Sequence, residues 1–221
     1  MDRESLTTDT AKTIWAGDFG NEYSDRNDKI EDYELRYKND TGFTQQEIFE
    51  KFFQDFDRDI SILEIGCNRG LKLSMLKEMG FTNISAIEVN QKAYELAKKE
   101  NPTAKIFHSS IENFDSKSTK YDLVFTSTLL IHIPPDTLEI VISKMINLSK
   151  KYIFGLEFYS DELIEIPYRG LTKALWKQNF PKIFQKISQT LTVKKIQFLP
   201  YKNEKLSDVI YLLEKNKRLC Y

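Results

Sequence analysis

The chain has 221 residues, 41% of them hydrophobic and 13% aromatic, with a net charge of −1 at pH 7. That length suits one domain with a sizeable core, and the composition excludes a disordered chain. The charge balance gives no general attraction for nucleic acid or an anionic membrane, and no apolar run approaches the ~20 residues that cross a bilayer.

The start, MDRESLTTDTAKT, lacks an apolar leader, and the two cysteines, Cys67 and Cys220, do not form a disulfide framework. A soluble protein of the reducing cytoplasm is expected. Residues 1–43 are polar, acidic and dotted with aromatics, and read as a segment apart from the domain at 44–221. Within them, IWAGDFGNEYSDRN has too little helical or alternating periodicity for a regular element. TQQEIFEKFFQ (44–54) then predicts a helix with Thr44 as N-cap and Glu47 completing a capping box.

From there apolar runs alternate with helical patterns. ISILEI, LKLSMLKEM, ISAIEV and QKAYELAKKE read as strand, helix, strand and helix, the last capped by Asn90. AKIFH and YDLVFT follow as strands, then a helix from about Asp136 to Ser149 entered through Pro134-Pro135, then the strand YIFGLEF. TVKKIQFLPY and SDVIYLLEK predict an antiparallel hairpin. The expected fold is α/β: a doubly wound, Rossmann-like, seven-stranded sheet, mostly parallel, closed by a C-terminal antiparallel hairpin. Between the last helix and the hairpin, Trp176 and Phe180 are spaced as i, i+4 and read as a core-facing pair, with a dimer face as the alternative.

The first strand runs into Glu64-Ile65-Gly66-Cys67-Asn68-Arg69-Gly70. Ligands of open α/β sheets bind at such strand ends. Gly66 permits a tight turn, and Gly70 lets the following helix lie close to the strand. Glu88 ends the second strand, where an acid can accept hydrogen bonds from two ribose hydroxyls. A dinucleotide site wants glycine where Asn68 stands, which weakens the alternative of a nicotinamide-dependent oxidoreductase.

An acid two residues before the glycine turn, together with the acid of strand two, resembles the class I S-adenosylmethionine-dependent methyltransferases. The resemblance implies that Glu64, Gly66, Cys67, Asn68 and Gly70 surround the amino-acid end of S-adenosylmethionine, with Glu88 and Val89 at its ribose. It implies adenine contacts at Ser110 and Ile111, where family members often use an acid. It puts Thr126, Ser127 and the following TLLIHIPP loop beneath the transferred methyl, leaving S-adenosylhomocysteine as product. Three further segments, WAGDFGNEYSDRN (15–27), LVFTSTLLIHIPP (123–135) and EIPYRG (165–170), resemble the pseudaminic acid biosynthesis-associated methylases. That narrower resemblance implies methylation of a small molecule in bacterial surface-carbohydrate metabolism, a sugar or another capsule or glycan precursor.

Residues 1–43 then make sense as a lid. Trp15, Phe19 and Tyr23 would cover apolar ligand surface, or else fasten the N-terminus to the core. Arg26 would pair with a carboxylate of cofactor or substrate. Leu130, Tyr159, Tyr168 and Arg169 are candidates to contact the acceptor, and Arg169 suits an anionic group or a nearby acid. His132 is the candidate general base for an alcohol acceptor, with a backbone-bonded helix-entry histidine as the alternative, and Glu157 is second in line. An anionic acceptor would need neither. No convincing metal-ligand set is expected, nor nucleic acid or membrane as partner, and the chain is expected as a monomer or homodimer. A non-catalytic, partner-binding member of the fold is the remaining alternative.

Overall fold

The computed structural model describes residues 8–26, 29–202 and 206–216; Cys220 lies outside the described residues. The chain opens with three helices, α1 (Thr8–Ala16), α2 (Asp18–Arg26) and α3 (Ile30–Thr41). Two of them correct the expectation of an irregular segment. Trp15, Phe19 and Tyr23 recur every four residues, a helical stripe that runs on across the break at Gly17. Trp15 meets both of the others edge-on, with centroids 5.2 and 5.3 Å away. Helix α4 (Gln45–Phe53) has the expected capping box, with the Thr44 hydroxyl accepting from Glu47 N–H and the Glu47 carboxylate from Thr44 N–H.

The alternating part follows as β1 (Ile62–Ile65), α5 (Leu71–Glu78), β2 (Ile84–Glu88), α6 (Gln91–Glu100), β3 (Lys105–His108) and β4 (Tyr121–Ser127). A single 3-10 turn (Leu130–His132) then leads into α7 (Pro135–Leu148) and β5 (Ser149–Phe158). After the short strands β6 (Ile164–Glu165) and β7 (Trp176–Lys177) come α8 (Phe180–Ile187), β8 (Leu191–Pro200) and β9 (Ser207–Lys215). The main sheet has the order β3-β2-β1-β4-β5-β9-β8, parallel through β5, with β9 and β8 antiparallel as expected of the hairpin. Strands β6 and β7 pair antiparallel as a separate small sheet that the sequence reading missed.

Side chains alternate across the sheet and divide the core in two. Ile62, Leu123, Phe125, Phe154 and Leu212 face α4, α5 and α6, while Leu63, Val124, Ile153 and Leu213 face α7 and α8. On the first face the Phe154 ring meets Phe49 at 5.0 Å and Phe53 at 4.9 Å, both edge-on. Each such pair contributes ~0.5–1.5 kcal/mol beyond its buried area. On the second face Gly155 makes room for Tyr211, whose ring would lie 2.2 Å from a Cβ at that position.

Trp176 and Phe180 are both buried, yet not on one helical face. Asn179, whose side chain accepts from Lys182 N–H, starts α8 at Phe180, so Trp176 lies before the helix in β7. The order of strands reverses between β1 and β4, and the carboxyl ends of these two strands open into the cleft where the candidate residues gather.

Candidate active site

At the end of β1 the backbone turns through Gly66 (φ +72°), Asn68 (φ +49°) and Gly70 (φ +86°). A Cβ on Gly66 would lie 2.7 Å from the Leu129 side chain, and one on Gly70 2.5 Å from the Asn101 amide. Asn101 in turn donates to the Gly70 carbonyl at 3.2 Å. Gly70 therefore lets the turn receive Asn101, more than it brings α5 close to the strand.

Glu88 is held by that turn. One carboxylate oxygen accepts from Asn68 N–H at 2.7 Å and the other from Asn90 N–H at 2.8 Å. Both bonds come from backbone, so the carboxylate has one aim, and each oxygen keeps a lone pair for a further donor. Burial raises its pKa, and the two N–H bonds oppose the rise. Glu64, at 2% exposed, has an Oε2 with no hydrogen-bond partner among the described residues. Burial raises the Glu64 pKa and lowers that of Lys72, each charge partly offsetting the other's shift. A buried acceptor left open beside a cavity suits a cationic donor such as the ammonium of an amino acid.

Glu64, Gly66, Cys67, Asn68, Glu88, Val89 and Ser127 line one cavity, closed from the N-terminal side by Trp15, Gly20, Tyr23 and Ser24. A second, more apolar cavity adjoins it, walled by Ser110, Ile111, Val89 and Pro134. Trp15, Gly66, Val89, Leu129 and His132 face both. A chamber holding two acids beside a more apolar one suits S-adenosylmethionine, amino acid and ribose in the first and adenine in the second. Burial pushes the Cys67 thiol pKa well up, so it stands there as a neutral wall.

The N-terminal helices are bolted to these strand ends. The Asn90 amide caps α6 through Ala93 N–H and donates to the Trp15 carbonyl at 3.1 Å and the Asn21 side chain at 3.0 Å. Ser24 donates to the Asn68 side chain at 2.6 Å, and Lys92 pairs with Asp25. Gly20 is packed so closely that a Cβ would lie 1.9 Å from the Trp15 carbonyl oxygen. Asn90, Ser24 and Gly20 were not read from the sequence as site residues; the stripe at 15, 19 and 23 was the signal that these helices dock.

A third cavity lies on the far side of Tyr23 and His132, bounded by Arg26, Tyr33, Tyr37, Tyr168, Arg169 and Tyr201. His132 faces all three cavities. Its Nδ1 lies 2.7 Å from the Ala174 carbonyl, which can only accept, so Nδ1 carries the proton and Nε2 the lone pair. Nε2 has no hydrogen-bond partner among the described residues, and Trp15 and Tyr168 flank the ring at 4.5 and 5.1 Å. Burial lowers its pKa to about 4, which keeps the imidazole neutral at pH 7.

Several expected residues lie elsewhere. Arg26 borders the third cavity and not the first. Thr126 and Leu130 are fully buried, and neither they nor Gly70 line these cavities. Tyr159 bonds Asp161 and packs on Phe198, away from the cleft. Glu157 is fully buried; its carboxylate accepts from Leu129 N–H at 3.3 Å and Ile131 N–H at 3.4 Å, and burial raises its pKa to about 7. It shapes the 3-10 turn that presents His132, and the expectation of a second base there gives way to that role. Among the described residues, no three His, Cys, Asp or Glu side chains are placed to hold a metal ion, and no helix is long and apolar enough to cross a membrane.

Residues 62–151 match a family model described as a methyltransferase domain. No curated protein matches the sequence. Among solved structures, the chain resembles Burkholderia thailandensis 1,6-didemethyltoxoflavin-N1-methyltransferase with S-adenosylhomocysteine bound, with TM-score 0.72, 15% identity, and 98% of this chain and 94% of that one covered. It also resembles the magnesium protoporphyrin IX methyltransferase of Synechocystis PCC 6803 with bound SAM, with TM-score 0.68, 13% identity, and 97% and 100% covered. The N-terminal domain of EvdMO1, solved in the presence of S-adenosylhomocysteine and D-fucose, gives TM-score 0.59 at 14% identity, with 77% and 82% covered. Residues 62–151 thus resemble a methyltransferase domain, and the chain shares the fold of solved S-adenosylmethionine-dependent methyltransferases.

Proposed function

We propose that the protein transfers a methyl group from S-adenosylmethionine to an oxygen, or a nitrogen, of a small molecule, a sugar or another surface-polysaccharide precursor. The observation that carries this reading is His132, a neutral imidazole with its proton on Nδ1, which lines the two cavities beside the acids and the third cavity next to them. The sugar class is supported by the three segments that resemble the pseudaminic acid-associated methylases and by the D-fucose used with the EvdMO1 domain.

When bound, the cofactor supplies an electrophilic methyl on a sulfonium. In this reading Glu88 takes the ribose hydroxyls, Glu64 the ammonium group, and Val89, Ser110 and Ile111 the adenine. Helices α1 and α2 act as the lid, with Trp15 and Tyr23 sealing the cleft against water and sharpening electrostatics within it. His132 Nε2 accepts the proton of the attacking hydroxyl as the methyl moves. The Ala174 carbonyl holds the ring in the tautomer this needs. The protein would act in the cytoplasm as a monomer or homodimer.

Calorimetric titration of S-adenosylhomocysteine into wild type and Glu88→Ala tests the cofactor half. Micromolar binding, weakened by at least ~1 kcal/mol in the variant, is expected for a lost charged hydrogen bond. A folded wild type that binds none would sink the reading. Methyl transfer from labelled S-adenosylmethionine to a panel of nucleotide sugars and capsule precursors then tests the acceptor class.

A further inference from the structure

The third cavity carries a charge pattern that the cofactor does not use. Arg26, Arg36 and Arg169 all reach its wall, and the carboxylate that lines it beside them is Asp40. Asp208 lies behind the tyrosines, its Oδ2 accepting from Tyr37 at 2.5 Å and Tyr201 at 3.3 Å. Arg26 is the most telling of the three. Its Nη1 lies 3.7 Å from the exposed Glu22, while Nε and Nη2 are buried with no hydrogen-bond partner among the described residues. A guanidinium offers five donors in a fixed fork and accepts nothing, so two buried, unfilled donors on one edge match the two oxygens of an anion.

Arg169 lines the same space. It sits at φ +49°, an uncommon conformation for a side chain larger than glycine, in the turn where Tyr168 and Leu171 exchange backbone bonds. Its guanidinium lies over the Tyr168 ring at 5.7 Å, as that of Arg26 lies over Tyr23 at 5.7 Å. Tyr168 is in turn the ring that packs beside His132. Both arginines thus lie over tyrosine rings that line the same cavity as His132, Tyr168 directly beside it and Tyr23 one ring away through Trp15.

Resting on the methyltransferase reading above, we propose that this cavity takes an acceptor bearing an anionic group, a carboxylate or a phosphate, clasped between Arg26 and Arg169 so that its methyl-accepting atom meets His132. The anion then serves as the handle that orients the acceptor, and a neutral analogue of the same shape lacks it.

The test uses the full chain saturated with S-adenosylhomocysteine, so that the cofactor cavities are filled. Thermal unfolding of wild type, Arg26→Gln and Arg169→Gln is followed in sodium phosphate, acetate or chloride at matched ionic strength. Phosphate or acetate should raise the wild-type midpoint above chloride in a saturable manner, and each substitution should remove most of that rise. A larger effect of phosphate assigns a phosphorylated acceptor, and a larger effect of acetate a carboxylate. Equal midpoints in all three salts, or a rise that persists in both variants, overturns the anion site while leaving cofactor binding intact. Failure of the wild type to bind S-adenosylhomocysteine at all would remove the reading beneath it, and calorimetry separates the two outcomes.

Discussion

Replacing His132 by glutamine tests the protonation state on which the catalytic proposal depends, and needs no acceptor. The folded protein holds the imidazole at a pKa of about 4, because burial opposes its charged form, against an ordinary value of 6.5. Above pH 6.5 the ring is neutral folded or unfolded and contributes nothing to the pH dependence. As pH falls through 6.5 the unfolded chain takes up a proton that the folded chain refuses, so wild-type stability drops. Linkage puts the loss at about 2 kcal/mol by pH 5 and about 3 kcal/mol by pH 4. Urea unfolding of wild type and His132→Gln at a series of pH values reads the difference, in which the buried carboxylates common to both cancel. The gap should be flat above pH 7 and should move against the wild type below it. With only one other histidine, His108, in the chain, the ring resonances are also assignable with a single variant. Parallel stability curves, or a His132 ring that titrates near 6.5, would refute the reasoning.

Other perturbations bear on the remaining parts of the structure. Gly20→Ala puts a Cβ 1.9 Å from the Trp15 carbonyl oxygen, so it should undock the N-terminal helices and weaken S-adenosylhomocysteine at least ~10-fold by calorimetry, about 1.4 kcal/mol. Gly155→Ala drives a methyl into the Tyr211 ring and should cost ~1–3 kcal/mol in urea unfolding. Tyr211→Phe should be neutral or stabilising in the same assay, because its buried hydroxyl has no partner among the described residues. Burial raises the Asp208 pKa from 3.8 to about 7, so wild-type stability should fall as pH rises between those values and level off above about 7, and Asp208→Asn should flatten the fall.

The alternating strands and helices were legible because a parallel sheet buried on both faces leaves apolar runs separated by capped, periodic helices. Thr44, Asn90 and the Gly66–Gly70 turn all behave locally as their residue types dictate. The acids were legible for the same reason, since Glu64 stands one residue before the end of β1 and Glu88 ends β2. What escaped the sequence was set by distant parts of the chain. Glu157 looks like a free carboxylate at a strand end until the β4–α7 loop folds back and donates two N–H groups to it. Arg26 looks adjacent to the cofactor until α2 carries it past Tyr23 to the next cavity. The small sheet of β6 and β7 comes from two-residue strands, too short to leave a periodic trace. Tyr33, Tyr37 and Tyr201 come together only because α3 packs across the hairpin, with the Lys202 N–H bonded to the Asp40 carbonyl.

Asn90 ties events that would otherwise be separate. Its backbone N–H aims the carboxylate proposed to hold the ribose, and its amide fastens the helices that cover the cleft. Those same helices carry Tyr23 and Arg26, which form part of the wall of the third cavity. Releasing the spent cofactor by lifting the cover would therefore also dismantle the acceptor's chamber. Turnover would then be compulsory in order, with the methyl donor first to arrive and its demethylated remnant last to leave. Product inhibition would show it: S-adenosylhomocysteine competitive with S-adenosylmethionine alone, and random patterns if the helices move independently of the cleft.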